Sequence, residues 1–444
     1  MREGPMESPI QRVVDLTDPS SNRLLGITVE QARARIAFGD PRQVRGIAGS
    51  YALVAADGET VRMARSLDRP LRYFLAKQID GPMLVAADRI DAIRTYLGSA
   101  GLSGQFHPTY TRMVPAHHVT TLRLIGCPDP DATYVRFLEP SPATLPADVA
   151  EIGRRYVGAL SDEIADWLAG VPEREPVGVC FSGGVDSGAV FLVTYHVLRR
   201  LGIRPSRLKA FTLSAGEGRD LAQARRFLAE LSLDFFLEAI ETNAENLDPF
   251  EAVRVVEDYK PLDVEAAAAG LALARGIRER YPEWRFLLDG DGGDENLKDY
   301  PLEKDGEVTI KSVIANPLLY QEGWGVGNLK HSRTYTGGQS RSCTRTYAPL
   351  RRYGFEGFSP FLRPRLVELA AAIPFAELTG HDIERLYRLK GEIVASGVEA
   401  VTGIRMPVYP KRRFQDGVGS AKDAAVRWTH READYRSHFH SLYA

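Results

Sequence analysis

Pro176-Val177-Gly178-Val179-Cys180-Phe181 runs straight into Ser182-Gly183-Gly184-Val185-Asp186-Ser187, and Gly188-Ala189-Val190-Phe191-Leu192-Val193-Thr194-Tyr195-His196-Val197-Leu198 follows. The first run reads as a buried strand and the last as a helix. A strand therefore ends in a loop of small residues that opens a helix. Such a loop bares successive backbone N–H groups, and the helix start adds a positive dipole end. It is a seat for polyphosphate. Gly183 and Gly184 let the chain approach the phosphates, while Ser182 and Ser187 can donate hydroxyls. Asp186 would repel a bare anion, and it fits if a magnesium ion sits between them. The string is no Walker loop, which needs Gly-x4-Gly-Lys-Ser/Thr. The plain alternative is a small-residue turn joining a buried strand to a helix.

Outward from this loop the chain alternates. The patterns predict strands at 176–181, 208–213, 235–240 and 285–289, and helices at 188–201, 219–231 and 264–280. Alternation of this kind argues for an α/β fold with a parallel sheet covered on both faces, its ligands beyond the carboxyl ends of the strands. A helix with Val149, Ile152, Tyr156, Leu160, Ile164 and Trp167 on one face precedes the first strand. Before it, the Pro-rich stretch 138–146 reads as a linker. Residues 1–45 show little period, whereas 46–125 turn to strands, with an Asp57-Gly58 hairpin signal before Thr60–Arg65 and a short helix through Ile90, Ile93 and Leu97. The expected division is a small β-rich domain at 1–137 and a larger one at 147–444, whose end from about 310 is mostly helical with long loops.

The 444 residues suffice for two or three domains, and 44% hydrophobic content allows large cores. A net charge of −2 gives no argument for a nucleic-acid partner. No apolar stretch approaches a membrane span, and the first residues, Met1-Arg2-Glu3-Gly4, begin no signal-peptide core. Cys127, Cys180 and Cys343 are widely spaced, which indicates neither a zinc site nor a disulfide framework. A reducing cytoplasm is the expected setting.

At the end of the strand 285–289 stands Asp289-Gly290-Asp291-Gly292-Gly293-Asp294-Glu295. Acids and glycines at a strand end can hold a hard cation, although Gly293 breaks the spacing of a calcium loop. A solvated acidic turn is the plainer reading. Further on stands Pro407-Val408-Tyr409-Pro410-Lys411-Arg412-Arg413-Phe414-Gln415-Asp416-Gly417-Val418-Gly419. Its basic triplet is either a solvated face or a partly buried loop that offers a lysine to phosphate. Thr334–Ser340, rich in glycine and hydroxyls, reads as either a lid or a surface loop.

The first loop resembles that of the ATP pyrophosphatases. Together, and in order, the three motifs resemble the asparagine synthetase-type amidotransferases, a group that includes β-lactam synthetase. Phe355-Glu356-Gly357-Phe358-Ser359-Pro360-Phe361-Leu362 is similar to that family's Leu-Glu-x-Arg-x-Pro-Phe-Leu-Asp. The resemblance covers about 150–420. Arg65-Ser66-Leu67-Asp68-Arg69-Pro70-Leu71-Arg72-Tyr73 resembles part of the family's glutaminase domain, an Ntn-hydrolase fold. The family's nucleophilic cysteine follows the initiator methionine, and Arg2 stands there instead. The resemblance therefore implies a vestigial glutaminase-like domain that makes no ammonia from glutamine.

For activity, the resemblance implies an ATP- and Mg2+-dependent carbon–nitrogen ligase. Such an enzyme adenylates a carboxylate, releases pyrophosphate and passes the acyl group to ammonia or another amine, lactam closure included. Carried over by match, Ser182, Gly183, Gly184 and Ser187 hold pyrophosphate, and Asp186 and Asp294 bind the metal. Phe181, Leu213 and Gly290 receive the nucleotide, while Lys411 faces the α-phosphate or the acyl oxyanion. Asp291 and Glu356 are the candidates for taking the amine's proton. Asp291 stands where asparagine synthetase has glutamate and β-lactam synthetase tyrosine. The expected partners are a small carboxylic acid and an amine or ammonia, with a homodimer open and neither nucleic acid nor membrane. A specialised ligase, of antibiotic biosynthesis for example, fits better than housekeeping asparagine synthesis. The rivals are a sulfur-inserting ATP pyrophosphatase acting on tRNA, which needs a reactive thiol, and an inactive regulatory homologue.

Overall fold

A computed structural model describes residues 12–78, 81–123, 132–214, 219–299, 309–316, 345–410 and 430–444. They fall into two compact units, one within Met1–Glu139 together with His440–Ala444, the other within Pro140–Gly325 and Ser340–Phe439.

In the first unit, β1 (Val13–Asp15), β4 (Arg72–Ala76), β5 (Met83–Ala87) and β6 (Arg112–Met113) form one sheet, in the order β1-β5-β4-β6. β2 (Ala52–Asp57), β3 (Thr60–Arg65), β7 (His118–Arg123) and β8 (Thr133–Arg136) form another, in the order β8-β7-β3-β2. Strand alternation explains the stacking. Val54, Met63 and Leu122 of the second sheet share a core with Tyr73, Leu84 and Ala86 of the first. The opposite face of the first sheet, with Phe74, Met83 and Val85, packs on Ile93 and Leu97 of α2 (Ile90–Ser99). On the outer face of the second sheet Arg62 bonds the carbonyl of Ala37 in α1 (Val29–Phe38). The layers are thus helix, sheet, sheet, helix. The weak period of residues 1–45 conceals α1, but a capping box between Thr28 and Gln31 marks its start. Near the end of the chain, Arg94 donates to the carbonyls of Leu442 and Ala444, at 2.7 and 2.9 Å.

The second unit holds five parallel strands: β9 (Val177–Cys180), β10 (Leu208–Ser214), β11 (Leu237–Glu241), β12 (Phe286–Leu288) and β13 (Glu356–Phe358), in the order β11-β10-β9-β12-β13. On one face Val177, Val179, Phe286 and Leu288 pack against α3 (Val149–Ala169), α4 (Val185–Arg200) and α8 (Ile383–Thr402). On the other, Phe211, Leu213 and Leu287 meet Ala269, Leu273 and Ile277 of α6 (Pro261–Arg280). Gly178 faces this second side. A β-carbon there would stand 2.5 Å from the Phe211 ring and 2.7 Å from Leu287, so glycine lets these two side chains meet across β9. Between β10 and β11 runs α5 (Arg219–Glu230).

Helices α3 and α8 touch backbone to backbone. A β-carbon on Gly397 would stand 2.2 Å from the carbonyl oxygen of Gly153, and one on Gly153 would stand 2.4 Å from that of Ile393. Gly397→Val is expected to cost about 1–3 kcal/mol, the usual scale for overpacking a closed contact. Urea unfolding would read this as a lower midpoint, and an unchanged midpoint would show that the helices can part freely. Among the described residues no helix is long and apolar enough to cross a membrane.

Candidate active site

Every β9 residue and most of β10 and β12 are pinned by parallel pairing, so the next residues emerge together at the carboxyl end. After β9 the Phe181 N–H donates to the Phe211 carbonyl at 2.8 Å, and Thr212 Oγ1 donates to the Phe181 carbonyl at 2.7 Å. The chain then turns at Gly183, whose φ of +70° suits glycine. Its α-carbon faces α5, where a β-carbon would stand 2.9 Å from the Ala224 nitrogen. Ser182 and Ser187 close the loop, with their hydroxyl oxygens 3.2 Å apart and the Ser182 N–H donating to Ser187 Oγ at 3.2 Å. Gly184 caps α4 without a side chain, which leaves Asp186 in the first turn.

After β12 the acidic loop folds onto that helix start. A β-carbon on Gly290 would stand 3.0 Å from both the Asp186 β-carbon and the Ser187 nitrogen, and one on Gly293 would stand 2.2 Å from Asp186 Oδ1. The glycines of the second motif thus make room for the aspartate of the first. Asp289 spans the ends of β12 and β13. It accepts from Ser359 Oγ at 2.9 Å and from the Asp291 N–H at 3.0 Å. The short helix α7 (Gly293–Leu297) carries Asp294. Asn296 anchors it, donating to the Tyr156 hydroxyl at 3.0 Å and to the Phe361 carbonyl at 2.8 Å.

Asp186 and Asp294 meet at Lys390, a residue the motifs do not include. Its ammonium lies 2.5 Å from Asp186 Oδ2, pairs with Asp294 Oδ1, and stands 3.5 Å from Asp299 Oδ2. Lys390 is 3% exposed. Burial alone would lower its pKa, but Asp186, Asp294 and Asp299 outweigh it and hold the ammonium well above its ordinary value. The sequence holds a signal that could have found it. Lys390 interrupts the apolar stripe of Leu386, Leu389, Ile393 and Gly397 along α8, where a lysine needs acids to face.

Asp291 lies on the same loop. Burial pushes its carboxyl up to about 6, with Glu295 and Asp294 adding to the rise and Arg345 and Thr346 opposing it. Its Oδ2 is buried and makes no hydrogen bond among the described residues. Beside it Arg345 pairs with the buried Glu295 at 2.9 Å. Leu213 and Gly290 also lie at the carboxyl ends of their strands.

Glu356 is not brought to this end, which corrects its expected role. It opens β13 opposite Phe286, at the amino edge of the parallel sheet, and its carboxylate pairs with Arg285. The motif was legible, but its strand was not: Glu-Gly-Phe is too short to show a period. Cys180 ends β9, where burial and then Asp289 and Asp291 push the thiol up and away from the reactive thiolate. Lys411, Thr334–Ser340, Cys127 and Cys343 lie outside the described residues.

Two carboxylates aimed at one point, beside the glycine-turned loop Ser182–Ser187, suit a magnesium ion, which takes one or two carboxylates and completes its shell with phosphate oxygens and water. That Asp186 and Asp294 already converge on a cation shows the fit of the pair to positive charge.

The family model described as asparagine synthase matches residues 171–346. This match supports an asparagine synthetase-like family and an ATP-using carbon–nitrogen ligase. No curated protein matches the chain.

Proposed function

We propose that the chain is an ATP- and Mg2+-dependent ligase that adenylates a carboxylic acid, releases pyrophosphate and joins the acyl group to ammonia or another amine without using glutamine. The observation that carries this reading is the meeting of Asp186 and Asp294 on Lys390, directly beside the loop Ser182–Ser187. The loop's N–H groups and hydroxyls receive the β- and γ-phosphates. Lys390 supplies a fixed positive charge at the same place, where charge collects as pyrophosphate leaves. Magnesium, held by Asp186 and Asp294, would neutralise further charge on that leaving group. Lys411 is assigned to the α-phosphate or the acyl oxyanion on the family resemblance.

Of the two candidate bases, Asp291 keeps the role. A carboxyl near 6 is ionised at neutral pH yet basic enough to take an amine's proton. The reading of the first unit as a vestigial glutaminase-like domain draws on its helix–sheet–sheet–helix layering.

The test is pyrophosphate and AMP formation from ATP with a panel of small carboxylic acids, with ammonia and then with glutamine. Product is expected with ammonia or an amine, with loss of product on chelating magnesium and no glutamate from glutamine. As pH rises through about 6, Asp291 ionises and the rate of amide formation should climb. That inflection should vanish in Asp291→Asn. No pyrophosphate with any acid, or an unaltered profile in the variant, would overturn the ligase or the base respectively.

A further inference from the structure

Beyond Thr402 the chain turns at Gly403, with φ +72°, and runs back along α8. The returning residues make three separate contacts. Met406 is 4% exposed, and a β-carbon on Gly188 of α4 would stand 3.6 Å from its Sδ. Val408 lies over Gly391, the neighbour of Lys390, where a β-carbon would stand 3.0 Å from Val408 Cγ1. Tyr409 meets α5. Its ring is edge-on to Phe227 at 6.4 Å, and the Arg226 guanidinium covers it at 4.8 Å. Arg226 is itself held by Glu230 at 2.8 Å. The Tyr409 hydroxyl lies beside Glu230 and makes no hydrogen bond of regular geometry among the described residues.

The same helix α5 also touches the phosphate loop. Phe227 is edge-on to Phe181 at 5.4 Å, Ala224 abuts Gly183, and Gln223 Nε2 donates to the Ser182 carbonyl at 3.4 Å. Phe181, Phe227 and Tyr409 therefore form one row of rings from the base of the loop to the returning segment. Rings in such a row are stiff, with few rotatable bonds, so displacement at one end reaches the other.

We propose that Met406–Tyr409 form a positioning strap for the phosphate end of the site, with Tyr409 setting the loop Ser182–Ser187 against the helix that carries Lys390. The proposal rests on the ATP-ligase reading and adds to it a positioning residue that touches no substrate. It predicts a selective effect. The strap braces the pyrophosphate end of the nucleotide, so its loss should spare AMP.

The experiment is calorimetric binding of ATP, inorganic pyrophosphate and AMP to the full-length chain with magnesium present. Tyr409→Ala is expected to weaken ATP and pyrophosphate each by about tenfold, the scale of one lost ring contact in a coupled row. AMP binding should stay within about twofold of the parent, and Tyr409→Phe should restore the parent values. If Tyr409→Ala does not fold, Tyr409→Leu, which keeps bulk but not the flat ring, is read in the same way. Equal weakening of AMP, unchanged ATP affinity, or no rescue by phenylalanine overturns the strap. A parent chain that binds ATP yet releases no pyrophosphate overturns the ligase reading alone, since the strap is read by binding. A parent chain that binds no ATP overturns both.

Discussion

Lys390→Met is expected to abolish pyrophosphate release and to cost about 3–5 kcal/mol of stability, the scale of breaking a buried ion pair from one side. Methionine matches the length of the lysine stem and leaves no cavity, so the loss is one of charge. Asp186, Asp294 and Asp299 would then face one another without the ammonium they share. The sign of the pH dependence separates this from a packing defect. In the parent, Lys390 has a raised pKa in the fold. Its contribution is complete below the ordinary lysine value and is lost only as pH rises through the folded one. In the variant the crowded carboxylates take up protons more readily, so stability should recover as pH falls through the carboxylate range. Added magnesium should also raise the variant's melting temperature more than the parent's. Equal melting temperatures for parent and variant would mean that the ammonium and the acids are not energetically coupled.

The second large effect concerns the acids themselves. Asp186→Asn and Asp294→Asn keep size and polarity but remove one negative charge each. Both should lower the rate of pyrophosphate release on the order of a hundredfold or more, as losing a transition-state charge contact does. Asp299→Asn is the internal comparison. Its carboxylate is the most distant from Lys390, at 3.5 Å, and follows α7 rather than lying against the phosphate loop. It should lose roughly tenfold, the low end of what removing an outer partner costs and less than either of the other two. Rates under saturating ATP and magnesium would rank the three, and an Asp299 variant as damaged as the other two would move the metal site.

Much of the second unit was legible because its strands are apolar runs bounded by small residues. Val177–Cys180 and Leu208–Ser214 emerge within a residue or so of the expected spans. The phosphate loop was legible for the same reason, since a strand, two glycines and a helix leave few other conformations. Pattern reading lost two kinds of feature. Glu356–Phe358 is a strand only because β12 offers it an edge, so nothing in its three residues announces it. Lys390 lies far along the chain from the acids it serves, and its neighbours carry only the stripe of an ordinary amphipathic helix. What marks it is the wrong residue in the right stripe, and that becomes meaningful once the acids are known to lie opposite. The two glycines at the α3–α8 crossing were hidden in the same way, each looking like a mild helix weakness until paired.

That crossing has a consequence for how the protein comes into being. Gly153 emerges from the ribosome early in this unit and Gly397 late. At roughly 5–20 residues per second, the interval is on the order of tens of seconds. Throughout it the apolar side of α3, with Ile152, Tyr156 and Leu160, lacks the helix that will cover it. The acids at Asp186 and Asp294 exist before the lysine that reconciles them. The nascent chain therefore carries a greasy flank and an uncompensated acidic pole at once, a combination that invites chaperone capture and aggregation until its closing helix arrives.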